Sequence, residues 1–455
     1  MCSFLVFNFI LTHLDFVNFF LKFRGPDHTN HMMHNSFTFV HNLLHLTGKK
    51  TIQPFIDKKN DIVCLFNGEI YNYKEFGKYE SDGCCLLDVY KRYGNNFVKK
   101  LDGEFALVLF DFKKEIFIIS TDVFATKPLW YAFNEDTRKM GISTYKSGLV
   151  RAELKNCKKL LPNTTLIYDL NYMELMEEKR VFTFNFRQEK VFYDDWCKAF
   201  INSIKKRVDN DNYPVFVCLS SGYDSGAICC ALNSIGKQYY TYTIIAKENT
   251  KTIKDRVKRN MSFCKEYKII DFTKSEFKKL NNYIRENAEI HKYEVANGKT
   301  DIYRDAASTG MSKICQLASK EKHRIYLSGQ GADEITCDYG LNGKKIYDHS
   351  CFGGKFPGDL TKIVDNDPKK EVIWKSFYKG TQKDYLGKEE NISGLFGIEG
   401  RYPFLDKYLV QEFLSLSPTL KNKLYKAPLD YFLKKHRYPY DKNTKIGFSA
   451  DVNLK

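Results

Sequence analysis

Several things are scarce or missing in this chain, and each absence narrows the field. It has only 11 prolines in 455 residues, and no low-complexity tract or short internal repeat, which excludes repeat architectures. Its 13 cysteines include no CxxC pair with zinc-site spacing. An odd count, with adjacent pairs at Cys84-Cys85 and Cys229-Cys230, fits reduced thiols in a cytosol-like compartment better than a disulfide framework. The apolar opening MCSFLVFNFILTHLDF has no positive leading region and is interrupted by Asn8, Thr12, His13 and Asp15. A signal peptide or membrane span is therefore not expected, and a cytoplasmic protein is. There is also no long basic run, although 71 basic against 55 acidic residues give a formal charge of +16. The positive charge sits in scattered pairs such as Lys49-Lys50, Lys99-Lys100 and Lys369-Lys370, which reads as solvated faces and argues against a nucleic-acid groove.

What is present is enough apolar material, 43%, for two cores of about 150–250 residues each. Up to about residue 170, short aromatic and β-branched runs dominate: FLVFNF, SFTFVHNLL, DIVCLFNG, EFALVLFD and EIFIIS. They predict packed sheets, with helices only at 84–94 and about 12–22. The charged segment 171–192 lacks clear periodicity and reads as a link between domains, or else as an outer strand. Beyond it strands and helices alternate: VFVCLS (215–220), a helix at 227–236, YYTYTII (239–245), a helix at 312–320 and RIYLSG (324–329). That alternation predicts a parallel sheet, whose ligands bind beyond the carboxyl ends of the strands.

Two loops fall at such ends. Leu219-Ser220-Ser221-Gly222-Tyr223-Asp224-Ser225-Gly226 follows a strand and opens a helix. Small residues, hydroxyls and a helix N-terminus make an anion cradle, and Asp224 within it makes sense if Mg²⁺ bridges carboxylate and phosphate. Leu327-Ser328-Gly329-Gln330-Gly331-Ala332-Asp333-Glu334 presents the same chemistry, so Asp224 and Asp333 could share one metal ion. The first loop resembles the Ser-Gly-Gly-x-Asp-Ser signature of PP-loop ATP pyrophosphatases. The second resembles the Ser-Gly-Glu-Gly-x-Asp-Glu loop of asparagine synthetases. Arg401-Tyr402-Pro403-Phe404-Leu405-Asp406 is similar to that family's Arg-x-Pro-Phe-Leu-Asp motif, and Lys445 to Ser449 to its Lys-x-x-Phe-Ser stretch. Read without the family, the first of these is a Pro-capped turn with a surface salt bridge.

The N-terminal half agrees. Cys2 becomes the first residue if Met1 is removed, setting its thiol beside a free amine that can act as its base. Arg24-Gly25-Pro26-Asp27, Asn67-Gly68-Glu69-Ile70-Tyr71-Asn72 and Ser81-Asp82-Gly83 then resemble, in order, the class II glutamine amidotransferase domain of asparagine synthetases. Taken alone, Asn67-Gly68 is a hairpin turn. Asp122 with Lys127-Pro128-Leu129 echoes a further family stretch, with Ala125 where glycine is usual.

The resemblance implies an α+β N-terminal-nucleophile hydrolase sandwich of antiparallel sheets over 1–180, followed by an α/β parallel-sheet PP-loop domain over 190–455. It implies Cys2 as nucleophile, Asn67 and Gly68 as oxyanion hole, and Arg24, Glu69 and Asp82 with them as the glutamine site. It implies ATP at Leu219, Ser220, Ser221, Gly222, Asp224, Ser225, Ser328 and Gly329, Mg²⁺ at Asp224 and Asp333, and catalytic roles for Gln330 and Lys445. Glutamine would supply ammonia for an ATP-activated aspartate, with another carboxylate as the alternative acceptor and a non-catalytic nucleotide-binding descendant as the rival of another class. A homodimer is left open. Three residues depart from the pattern. Leu43 stands where an arginine grips the glutamine carboxylate, leaving Arg24, His41 or His45 to substitute. Gln330 stands where a glutamate is usual. Ser221 replaces a glycine of the PP-loop signature.

Overall fold

The computed structural model describes residues 2–209, 212–246, 248–271, 273–295, 298–337, 351–363, 374–442, 444 and 448. The apolar runs of the first half do form strands, and they pair into two six-stranded antiparallel sheets. One holds Ser3–Phe7 between Lys139–Ser143 and Phe37–Leu43. The other holds Gly103–Asp111 between Ile62–Ile70 and Ile116–Thr121. Between them lies a dry layer of Phe4, Val6, Phe39, Val63, Leu65, Val108, Phe110, Ile119 and Ile142. Each side chain of this size withdrawn from water contributes about 1.5–3 kcal/mol, so the aromatic richness of the sequence goes into holding the sandwich together.

The 84–94 helix forms as a short 3-10 turn, Asp82–Cys85, leading into the helix Leu86–Tyr93. The expected helix near 12–22 is broken at Asn18 into Leu14–Val17 and Phe19–Lys22. The segment read as an inter-domain link is an outer strand for part of its length. Leu175–Arg180 pairs antiparallel with Thr164–Asp169 at the edge of the second sheet. Its charges are tolerated because an edge strand faces water.

After the helix Asp194–Val208 the architecture changes to a five-stranded parallel sheet. Its order is Cys264–Ile270, Tyr239–Ile244, Val215–Cys218, Ile325–Leu327, Glu399–Arg401. The two loops therefore leave neighbouring strands, since Val215–Cys218 pairs directly with Ile325–Leu327. The helix after the first loop begins at Tyr223, four residues before the expected 227, because the serine-glycine loop itself winds into the first turn. The helix Ala306–Lys320 likewise starts well before the expected 312.

The two halves meet through buried ions rather than through apolar contact alone. Glu390, on the helix Thr381–Leu395, receives Arg24 at 2.8 Å and Lys127 at 3.0 Å. Arg207 bridges Glu104 at 2.7 Å and Asp406 at 2.9 Å. Asp406, in a motif that without the family reads as a Pro-capped turn with a surface salt bridge, is thus buried, and it also caps the helix Lys407–Ser415 through the Tyr408 and Leu409 N–H groups.

Candidate active site

The first cluster gathers at one small cavity lined by Cys2, Leu43, Gly68, Glu69, Asp82 and, from the parallel-sheet half, Glu399. Strand Ile62–Ile70 carries Gly68 opposite Phe105, in mid-strand, so the hairpin-turn reading of Asn67-Gly68 is replaced. Gly68 is required there: its φ is +132°, and a Cβ would stand 1.9 Å from the Glu104 carbonyl oxygen. Its neighbour Asn67 is fully buried and outside the cavity's lining. Neither its Nδ2 nor its Oδ1 is hydrogen-bonded to a described residue. A buried amide kept without a partner is costly, which marks a donor held for something else.

The Cys2 Sγ lies 3.8 Å from the Leu44 carbonyl oxygen, and burial pushes its thiol up to about 11. Asp82 accepts from the Ile70 N–H at 2.9 Å and the Ser81 hydroxyl at 3.1 Å, while burial raises its carboxyl to about 6. Glu69 accepts from the Thr47 hydroxyl at 2.8 Å and pairs with Arg401 at 3.1 Å. Burial raises the Glu399 carboxyl as well, but nearby positive charges, Arg401 and Lys127 among them, bring it down to about 2.

Arg24 differs from its sequence expectation. It does not line the cavity, and its guanidinium is committed to Glu390, the Tyr145 hydroxyl and, through Nε, the Cys2 carbonyl oxygen at 3.2 Å. It positions the backbone of Cys2 and leaves the glutamine carboxylate without its help. His41, the second expected substitute for the missing arginine, is buried and driven down to about 3 by desolvation, so it is uncharged near neutral pH. His45 lines the cavity, but its Nε2 is engaged with the Gly48 carbonyl oxygen at 2.9 Å. The one lysine in the lining is Lys49, paired at the mouth with Glu80.

The second cluster lies at the carboxyl ends of the parallel strands. Ser225 Oγ accepts the Ser220 N–H at 3.0 Å, the Gly222 N–H reaches Ser220 Oγ at 3.2 Å, and the Leu219 N–H is tied to the Tyr242 carbonyl. A Cβ on Gly329 would lie 2.9 Å from the Asp224 Cβ, so the two loops touch. Ser328 donates to Glu389, a buried carboxyl raised to about 7 by desolvation, and its hydroxyl accepts the Gln330 N–H at 3.0 Å. The Gln330 Nε2 is buried and meets no acceptor among the described residues. Ser221 gives both its N–H and its hydroxyl to Glu248, a contact no motif indicated. Arg256 underpins the first loop through the Ser220 and Gly222 carbonyls and fills the space a Cβ on Gly226 would need.

Asp224 and Asp333 converge on a single cation, the ammonium of Lys426, which is 2.6 Å from Asp224 and also pairs with Asp333. Two carboxylates meeting on one positive charge beside an anion loop are the donor set that suits a divalent ion shared with phosphate. Lys426 itself, one lysine among many in the sequence, gave no signal. Lys445 lies outside the described residues. Ala125 has φ +49°, a left-handed position where an alanine costs about 1–2 kcal/mol and a glycine would not.

Known proteins match along the same division. Residues 11–164 fit the model of a glutamine amidotransferase domain, and residues 196–372 that of asparagine synthase. A putative asparagine synthetase [glutamine-hydrolyzing] 1 of Methanocaldococcus jannaschii is 26% identical over 88% of this chain and 73% of its own length. The probable asparagine synthetase [glutamine-hydrolyzing] of Schizosaccharomyces pombe is 23% identical over 91% and 74%, and asparagine synthetase [glutamine-hydrolyzing] 2 of Lotus japonicus is 23% identical over 89% and 67%. With both domains present in this order, the chain belongs to the glutamine-hydrolysing asparagine synthetase family.

Proposed function

We propose that the protein is a two-site amidotransferase, releasing ammonia from glutamine at Cys2 and using it to amidate an ATP-activated aspartate. The observation that carries this reading is the pair of built clusters. A thiol and buried carboxylates line one cavity with an unpartnered amide on the strand beside it, while in the C-terminal half Asp224 and Asp333 meet on one cation.

In the first site, Glu69 and Asp82 attract the ammonium end of glutamine, and Lys49 is the cation placed to meet its carboxylate. Removal of Met1 gives Cys2 an amine base, which offsets the burial that holds its thiol protonated. Attack on the amide carbon puts negative charge on the oxygen. The Asn67 amide and the Gly68 N–H would stabilise it, each by about 2.7–4 kcal/mol.

In the second site, the Ser220–Ser225 loop and Ser328-Gly329 receive ATP, and Asp224 and Asp333 hold Mg²⁺ with Lys426 moved aside or sharing the phosphates. The ion would neutralise charge on the departing pyrophosphate. Lys426, and Lys445 by its family resemblance, add positive charge there. Ser221 must release Glu248 if its donors are to reach phosphate. The amidation step has to shed a proton from the incoming ammonia, and Glu389, raised to about 7, is the carboxyl bonded to this loop that can take it where Gln330 cannot.

The deciding experiment is pyrophosphate release measured with aspartate and with other candidate carboxylates, using glutamine or ammonium as nitrogen donor. Aspartate dependence with both donors supports the proposal. Turnover confined to a different carboxylate would move the protein to another acceptor within the same family.

A further inference from the structure

A larger cavity, about 580 Å³, lies between the two halves. Residues 159–162 and Phe124 of the sandwich form one wall. The hairpin strands Lys292–Val295 and Gly298–Asp301 and the helices Lys375–Tyr378 and Thr381–Leu395 form the other. None of its lining residues belongs to the glutamine cavity or the ATP loops.

Its charge is one-sided. The lining holds six lysines, Lys159, Lys292, Lys299, Lys375, Lys379 and Lys383, against two carboxylates, Glu294 and Asp384, a formal excess of +4. Lys292 pairs loosely with Asp301 at 3.7 Å, outside the cavity lining. The ammonium groups of the other five make no hydrogen bond or ion pair with the described residues. Asp384, whose carboxylate also accepts the Glu294 N–H at 3.3 Å, offsets part of the charge of Lys159 and Lys383. Lys159 is the deepest of the six, and burial together with the nearby Lys383 charge pulls its ammonium down to about 8 against the opposing charges of Asp384 and Glu390. An excess of one charge sign around a concave surface raises the local concentration of anions. Tyr378, Phe124 and Leu161 supply an apolar floor beside them. The volume is that of a small-molecule site, and the sequence holds no long basic run of the kind nucleic acid would use.

We propose that this inter-domain cavity is a binding site for a small phosphate-rich anion, separate from the ATP loops. Phosphate oxygens would accept from Lys159, Lys379 and Lys383 together, closing the sandwich against the helix Thr381–Leu395. That helix reaches Glu390 seven residues beyond Lys383, so an anion here would also steady the Arg24–Glu390 pair that holds Cys2.

The test is calorimetric titration of the full-length protein with inorganic tripolyphosphate in metal-free buffer. Two variants accompany it: Lys379→Glu/Lys383→Glu at the cavity, and Gly329→Leu, which crowds Asp224 and blocks the ATP loops. Both cavity lysines are exposed and unpartnered, so their replacement should leave the fold intact by circular dichroism; the milder Lys379→Gln/Lys383→Gln stands in if it does not. The expected result is a binding event shared by wild type and Gly329→Leu and weakened at least tenfold in the cavity variant. No binding by wild type, equal affinity in the cavity variant, or loss of the event in Gly329→Leu alone would overturn the proposal.

Discussion

Glu390→Ala is the perturbation whose outcome the structure fixes most tightly. The Glu390 side chain is 2% exposed, and the Arg24 and Lys127 side chains paired with it are 0% exposed. Its Oε1 also accepts the Tyr402 hydroxyl at 2.7 Å. Truncation leaves Lys127 with Glu104 at 3.6 Å and the Gly400 carbonyl, but removes the only carboxylate within reach of Arg24 among the described residues. Breaking a buried pair in this way costs about 3–5 kcal/mol, because the surviving charge stays desolvated. Against a total stability on the order of 5–15 kcal/mol that is a large loss. With a urea slope of about 1–3 kcal/mol per M, the unfolding midpoint should fall by at least about 1 M. Arg24 also holds the Cys2 carbonyl, so glutamine hydrolysis should fall further than ammonia-dependent pyrophosphate release. Urea titration followed by circular dichroism, with both activities measured on the folded protein, checks this. A midpoint shift below about 0.3 M together with unchanged glutaminase would refute the reasoning, since it corresponds to less than about 1 kcal/mol.

Other outcomes follow from single residues. Asn67→Ala should lower glutaminase kcat by about 10²–10³ with little change in the unfolding midpoint, because that amide makes no bond to the described protein. Asp224→Asn and Asp333→Asn should each abolish pyrophosphate release at every Mg²⁺ concentration while glutamine hydrolysis continues; normal adenylation by either would remove the metal assignment. Asp82 is raised to about 6, so it gains a proton as pH falls through that value and loses its attraction for an ammonium group. The KM for glutamine should therefore climb below pH 6, by up to about tenfold per unit, and Asp82→Asn should flatten the profile.

The fold was legible where apolar periodicity was strong. EFALVLFD is buried along its length and VFV at the start of VFVCLS is buried too, a pattern that fits strands, although the second strand ends at Cys218, two residues before the expected 220. Leu175–Arg180 stayed undecided between a link and an outer strand because LMEEKR is exposed on an edge and carries no alternation. The first turns of Ala306–Lys320 escaped because AASTG offers small residues with no apolar stripe. In the sites, contiguous motifs announced themselves: Asn67-Gly68-Glu69 and the two serine-glycine loops are each a few residues long. Their long-range partners did not. Lys127 and Glu390 are 263 positions apart, and Lys426 and Asp224 are 202 apart, so nothing local marks them as pairs. Arg24 was misassigned for the same reason, since its carboxylate partner comes from the other domain.

The central claim is that two separate chemistries occupy the two halves, and Cys2→Ala tests it directly. Glutamine hydrolysis and ammonium-dependent, aspartate-dependent pyrophosphate release are to be measured side by side on the folded variant. The account predicts loss of the first with the second retained near the wild-type rate. Equal loss of both in a protein with a native unfolding midpoint would contradict it.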